Sequence, residues 1–408
     1  LREGVEFSDG AAFNAAAVKA AWGRLLASSV PTIPAEIKAI TRIEAVNDTT
    51  LRIRLSKPIA KVFLNETLEN SFWLAVPSPA AAAAGGLNSK PVGAGPYVLS
   101  DYQEGQKVSL RRNPRFYDPA LQRLAGIDLI QVSTGPPAVN ALQAGTVDLI
   151  GGFAPDAVET IKAQKGLTVT SIPSNTVYDI GLCVSDGPFA SKAARQAMQY
   201  ALDRNAINQG AFSGTGTPTL LPLTPVSPYY DKSLEKTYSY NPKRARALLK
   251  KARIPRGTKV RALVPTNPPH PAISEIVQSE LEAVGLNMEI TQSTSFVTDA
   301  ARLKPDLAFV FINPPLFAIA FENTGTALNV CGWKNPEAVS LLTATRDGSK
   351  TEAETQAAWD SFQKILLDES PVVYTVTAPL LSAHSDKVKG LNVTASGAVT
   401  LGSVYMVK

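Results

Sequence analysis

Hydrophobic positions recur three and four apart in some stretches of the chain and alternate in others. Val18, Ala21, Trp22 and Leu25 share one face of a helix that Asn14 is placed to cap. Strands are expected at 40–45 and 50–55, the second with Leu51, Ile53 and Leu55 facing in and Arg52 and Arg54 facing out. A hairpin is expected over 97–102 and 107–112, turning at Glu104-Gly105. From Ile127 the pattern becomes strand 127–132, helix 136–144, strand 147–150, helix 155–164 and strand 167–172. That alternation predicts a parallel or mixed sheet with helices on its faces.

A strand at 177–184 precedes one amphipathic helix, 191–212, with Ala194, Ala197, Met198, Ala201 and Leu202 on its inner face. Asn241-Pro242 opens another helix, a cap followed by proline in the first turn. Beyond it come strand 260–264, helix 272–284, strand 287–291, strand 307–312, a helix carrying Trp359, Phe362, Ile365 and Leu366, and strand 371–376. Two α/β regions therefore part near residue 180, and the strand-like last segment is expected to return to the first. A chain that crosses between two lobes more than once is hinged, and it places a ligand in the cleft between them.

The length of 408 residues allows two to four domains of about 100–200 residues each. Charged residues are 18% of the chain, below the usual share of about 25%, and hydrophobic residues are 45%, which excludes a largely disordered chain. The net charge of +5 is small for this length and gives no argument for nucleic acid. The most apolar stretch, 307–321, is interrupted by Asn313, Pro314 and Pro315 and is shorter than the roughly 18 residues of a membrane span.

Enzyme chemistry finds little support. His270, in Asn267-Pro268-Pro269-His270-Pro271, and His384 are the two histidines, and neither has metal-ligand spacing. Structural or solvent-facing roles are expected for both. No phosphate-binding glycine loop, nucleophile elbow or cofactor motif occurs, and Ser361-Phe362-Gln363-Lys364 meets the SxxK pattern only in the middle of a helix. Cys183 and Cys331 match no zinc or redox signature. A secreted protein could pair them and a cytosolic one would keep both as small buried hydrophobes, and geometry decides between the two.

Several segments together resemble the family 5 extracellular solute-binding proteins of peptide/nickel-type ABC importers. They are Leu1-Arg2-Glu3-Gly4-Val5-Glu6-Phe7-Ser8-Asp9-Gly10, Pro91-Val92-Gly93-Ala94-Gly95-Pro96-Tyr97 and Leu110-Arg111-Arg112-Asn113-Pro114-Arg115-Phe116-Tyr117. Then follow Gly187-Pro188-Phe189 with Ala201-Leu202-Asp203-Arg204, Tyr240-Asn241-Pro242-Lys243-Arg244-Ala245, and Gly332-Trp333-Lys334-Asn335-Pro336. Their order is kept over nearly the whole chain. The resemblance implies a bilobal α/β fold of the periplasmic-binding-protein type (type II, with an extra small subdomain) around a hinged cleft. It implies a small subdomain at 1–114, the rest of the first lobe at 115–183, the second lobe at 184–378 and a return to the first lobe at 379–408. The function implied is extracytoplasmic capture of a small solute for an ABC importer permease, by one copy of the chain, without catalysis, metal or cofactor. The alternatives are a carboxylate-dependent hydrolase and a sensory or chaperone receptor on the same fold.

Family members carry residues ahead of the Leu-Arg-Glu-Gly segment, so this chain is expected to be N-terminally incomplete and the mature protein periplasmic or lipid-anchored. Export in turn implies a disulfide between Cys183 and Cys331 that staples the second lobe. Peptide-binding members carry a Gly-Trp-x-x-Asp run where this sequence has Phe311-Ile312-Asn313-Pro314-Pro315. A buried ammonium without a carboxylate is costly, so a neutral or aromatic solute is expected in place of a free zwitterionic peptide. The expected ligand contacts are Phe309, Phe311, Ile312 and Asn313, with Ser174, Asn175, Thr176 and Tyr178 from the strand ahead of the second lobe, and Trp73. Sheet core is an equal reading for Phe309 and Phe311, an ordinary polar loop for Ser174, and a local core for Trp73 beside Phe72.

Overall fold

The computed structural model describes residues 1–28, 33–61, 68, 72–133, 135–312, 329, 331–392, 399 and 401–407, with the side chains of 35, 72, 312 and 401 excepted. Helix α1 (Ala15–Leu26) starts where the Asn14 side chain accepts the Ala17 N–H at 3.0 Å. After α2 (Ala35–Lys38), strands β1 (Ile40–Asn47) and β2 (Thr50–Leu55) pair as an antiparallel hairpin. Helix α3 (Pro79–Ala84) follows. Strands β3 (Tyr97–Gln103), β4 (Lys107–Arg112) and β5 (Gly126–Ile130) form one antiparallel sheet.

The expected β-α-β run is corrected here, because its first strand, β5, joins the hairpin. The loop between β4 and β5 folds back because the Asn113 amide donates to Gly95 O at 2.8 Å. The Gln122 amide donates to Pro96 O and Asn113 O at 2.6 and 2.7 Å. A boundary drawn at 114 therefore falls inside a continuous sheet. Helix α4 (Pro136–Gln143), strand β6 (Leu149–Gly151), helix α5 (Ala157–Lys162) and strand β7 (Leu167–Ile172) come next.

Strand β8 (Val177–Leu182) lies inside a six-stranded mixed sheet. Its other members are β9 (Thr217–Pro218), β10 (Thr258–Pro265), β11 (Leu286–Ser293), β12 (Leu307–Ile312) and β13 (Val372–Thr377), in the order β11-β10-β12-β8-β13-β9. β10 runs parallel to β11 and β12, and β8 runs antiparallel to β12 and β13. One face carries α6 (Lys192–Ala201), α7 (Arg204–Phe212), α8 (Pro242–Lys251) and α9 (His270–Val284) over Ile180, Leu182, Phe309, Val373 and Val376. Helix α10 (Phe296–Leu303) precedes β12, and α11 (Pro336–Thr345) and α12 (Glu352–Glu369) cover the other face over Val177 and Tyr374.

The single helix expected over 191–212 is two. Leu202 is extended (φ −98°, ψ 125°), and the Asp203 carboxylate caps α7 by accepting from Asn205 N and Ala206 N. The break lets the buried Arg204 guanidinium reach the carbonyls of Thr219 and Tyr374 and the side chain of Gln199. Cys183 and Cys331 form a disulfide packed with Ala308 of the same sheet.

Strand β14 (Leu380–Ser385) then re-enters between β6 and β7, antiparallel to both, and a short ladder of β15 (Val388–Lys389) with β16 (Tyr405–Met406) follows. The two sheets are thus joined by two neighbouring segments, β7 to β8 and β13 to β14. The Ser174 hydroxyl donates to Ala378 O at 2.7 Å and accepts from Thr176 N, and Ala378 N donates to Thr176 O at 3.0 Å. A second contact links the early residues to the region after α11. The Arg346 guanidinium pairs with Glu36, Ala60 N donates to Arg346 O at 2.9 Å, and Ile59 bridges Asp347. A Cβ on Gly348 would lie 2.8 Å from Ile59 N, so this close approach needs glycine.

Candidate functional site: an aromatic wall at the end of the central sheet

Strands β10 and β12 end, and β8 begins, at the edge of the sheet that meets the two crossing segments. Crevices beyond strand ends are where open α/β sheets hold ligands. The antiparallel register sets Tyr178 beside Phe311, with ring centroids 5.8 Å apart. His270, at the start of α9, lies 5.2 Å from the Tyr178 ring and 6.1 Å from Phe311, and Phe212 closes on Tyr178 at 5.2 Å. Phe311 remains 44% exposed, although it sits on an interior strand.

The wall also offers polar groups. His270 Nδ1 lies 3.0 Å from Asn267 O, so it carries the proton and leaves Nε2 as an acceptor. Among the described residues Nε2 is buried without a hydrogen-bond partner, and burial lowers the imidazole pKa, which keeps the ring neutral. The Tyr178 hydroxyl is pushed up to about 12 by burial and stays a donor. Asp179, the next residue, faces the other side of the sheet opposite Tyr374, where burial holds its carboxyl well above the usual range.

The expected contacts divide accordingly. Tyr178 and Phe311 come together. Phe309 is on the same face but only 1% exposed, packed among the residues under α6–α9. Ser174 and Thr176 build the crossing itself, and Asn175 Oδ1 accepts the Thr224 hydroxyl at 3.0 Å. Trp73 packs with Ile33, Ile37 and Leu74 beside α1. Ile312 ends β12, but its side chain lies outside the described residues, as do Asn313, Pro314 and Pro315. His270 and Phe212 were not among the expected contacts. The signal for His270 was a proline-stiffened loop directly after a strand, which fixes a ring at the strand end.

Residues 1–314 match the bacterial extracellular solute-binding proteins, family 5 middle. The chain is 28% identical over 416 aligned residues to the glutathione-binding protein GsiB of Escherichia coli K12, covering 96% of this chain and 79% of that protein. NikA from Brucella suis in complex with Fe(III)-EDTA superposes with a TM-score of 0.86 at 21% identity, covering 100% of this chain and 87% of that one. The binding protein AgaA of A. tumefaciens R10, in complex with agropinic acid, superposes with a TM-score of 0.79 at 23% identity, covering 100% and 86%.

Proposed function

The chain belongs to the family 5 bacterial extracellular solute-binding proteins, which are transport binding proteins and not enzymes, and from that premise we propose that it captures a neutral or aromatic small solute against Tyr178, Phe311 and His270. The family delivers ligands to ABC importer permeases. Among the described residues no helix is long and apolar enough to cross a membrane. Action as a single copy, with or without a lipid tether outside the cytoplasmic membrane, is part of the same proposal.

The observation that carries it is the exposed Phe311 ring in contact with Tyr178 and His270 at the mouth of the sheet. Stacking of a ring on such a wall contributes about 0.5–1.5 kcal/mol beyond area burial. One donor, Tyr178 Oη, suits a solute with a hydroxyl or carbonyl and no charge to neutralise. A peptide is the second reading, favoured by the glutathione-binding relative.

A thermal-shift screen of neutral aromatics, peptides and metal chelates tests the proposal. A captured solute raises the melting temperature according to RT ln(1 + [L]/Kd). Neutral aromatics are expected to raise it, and the mass spectrum of the recovered solute is expected to be unchanged. Conversion of a solute to product, or shifts confined to charged peptides, would contradict the proposal.

A further inference from the structure

The positive charge of this protein is concentrated in one place. Between Asn241 and Lys259 stand Lys243, Arg244, Arg246, Lys250, Lys251, Arg253, Arg256 and Lys259, with no acid. Removing these eight from the 40 Lys and Arg leaves 32 against 35 Asp and Glu, so the rest of the chain is net negative. Helix α8 and the turn after it therefore carry more than the whole net charge of +5.

The segment is also shaped. Arg246, Lys250, Arg253 and Arg256 ring an open notch of about 450 Å³ whose apolar floor includes Leu249 and Ile254. Arg246 donates to Ala283 O at 3.2 Å, which aims it along the notch. The side chains of Lys250, Arg253 and Arg256 make no hydrogen bond or ion pair with any described residue. The turn that presents them is a helix stop in which Ile254 N donates to Leu249 O and Arg253 N to Lys250 O, both at 3.0 Å. Glycine is the usual occupant of the left-handed position in such a stop. Here it is Arg253, at φ 60°. A bulky cation held in a conformation that disfavours it points to a use for the side chain outside the fold.

We propose that this notch docks the protein on an anionic phospholipid headgroup, the guanidinium and ammonium groups taking the phosphodiester and the apolar floor the glycerol portion. Arginine forks match phosphate oxygens in pairs, and clustered cations at a membrane surface add their attractions to anionic lipid. A small notch with an apolar floor favours one headgroup over an extended acidic protein face. The site lies on α8 and α9 and is independent of the solute wall.

Co-sedimentation of the chain with vesicles tests this. Binding is expected to mixed phosphatidylglycerol/phosphatidylcholine vesicles at low salt, weakening steeply as salt rises, and not to pure phosphatidylcholine. Arg253→Gly should keep or raise the melting temperature, since glycine suits φ 60°, and yet weaken vesicle binding. Lys250→Gln with Arg253→Gly and Arg256→Gln should weaken it about tenfold or more. Lys19→Gln, which removes one charge elsewhere as Arg253→Gly does at the notch, should leave it nearly unchanged. Equal weakening by Lys19→Gln would reduce the effect to net charge and overturn the site. So would absence of vesicle binding, or free glycerol phosphate binding at the notch while vesicles do not, or retention only by an acidic protein surface.

Discussion

Phe309 and Phe311 differ in depth along one strand and in nothing that the sequence records. Alternation places both on one face, and only their distance from the strand end makes one core and the other wall. Glu280 shows the same dependence on three dimensions. Its Oε1 accepts the Asp203 N–H at 3.1 Å while Oε2 is buried with no partner among the described residues, and burial raises its carboxyl from 4.5 to about 7. The unfolded chain releases this proton near 4.5 and the folded chain near 7, so stability is lost as pH rises across that interval. Urea denaturation should show wild type losing about 1–2 kcal/mol over this window, the full shift being reduced by solvent screening of a partly exposed carboxyl. Glu280→Gln, which can still accept from Asp203 N, should flatten the profile and be the more stable protein above pH 7. A variant that keeps the wild-type slope would show that another group titrates.

Local pattern located most elements within a few residues, and its failures are physical. The 191–212 helix broke because Asp203 caps a new start and releases Arg204 into the core, which hydrophobic spacing cannot register. The strand at 127–132 read correctly as a strand but joined the hairpin, since pairing partners are chosen by loops such as the one Asn113 and Gln122 hold. Whether Cys183 and Cys331 pair was likewise open until β8 and the segment before α11 were seen together. The contact between Glu36 and Arg346 was invisible for the same reason. The side chains of Arg346 and Glu36 are only 16% and 12% exposed, so removing Glu36 takes an anionic partner from a largely buried guanidinium. Glu36→Ala should therefore destabilise the protein by about 2–3 kcal/mol in urea denaturation, near the lower end for buried pairs. A loss below about 0.5 kcal/mol would class the pair with weak surface bridges.

At the scale of the molecule, six ordered motifs made the family legible, because turns such as Gly187-Pro188-Phe189 and caps such as Asn241-Pro242 keep their spacing while the residues between them vary. The return of β14 between β6 and β7 joins those two strands through a strand from the far end of the chain, and local periodicity carries no trace of that pairing. Of the candidate ring cluster, Tyr178 and Phe311 are legible in the sequence, whereas His270 reaches them only through the fold of α9 onto β8. The central claim is that these rings receive a neutral or aromatic solute, and calorimetric titration addresses it most directly. The chain and its Tyr178→Leu/Phe311→Ala variant would each be titrated with neutral aromatic solutes, short peptides and glutathione. A neutral aromatic solute should bind the wild type and lose about tenfold to a hundredfold in affinity in the variant, as expected for truncated ring anchors. Tight binding of glutathione or another peptide that survives the double substitution would contradict the account.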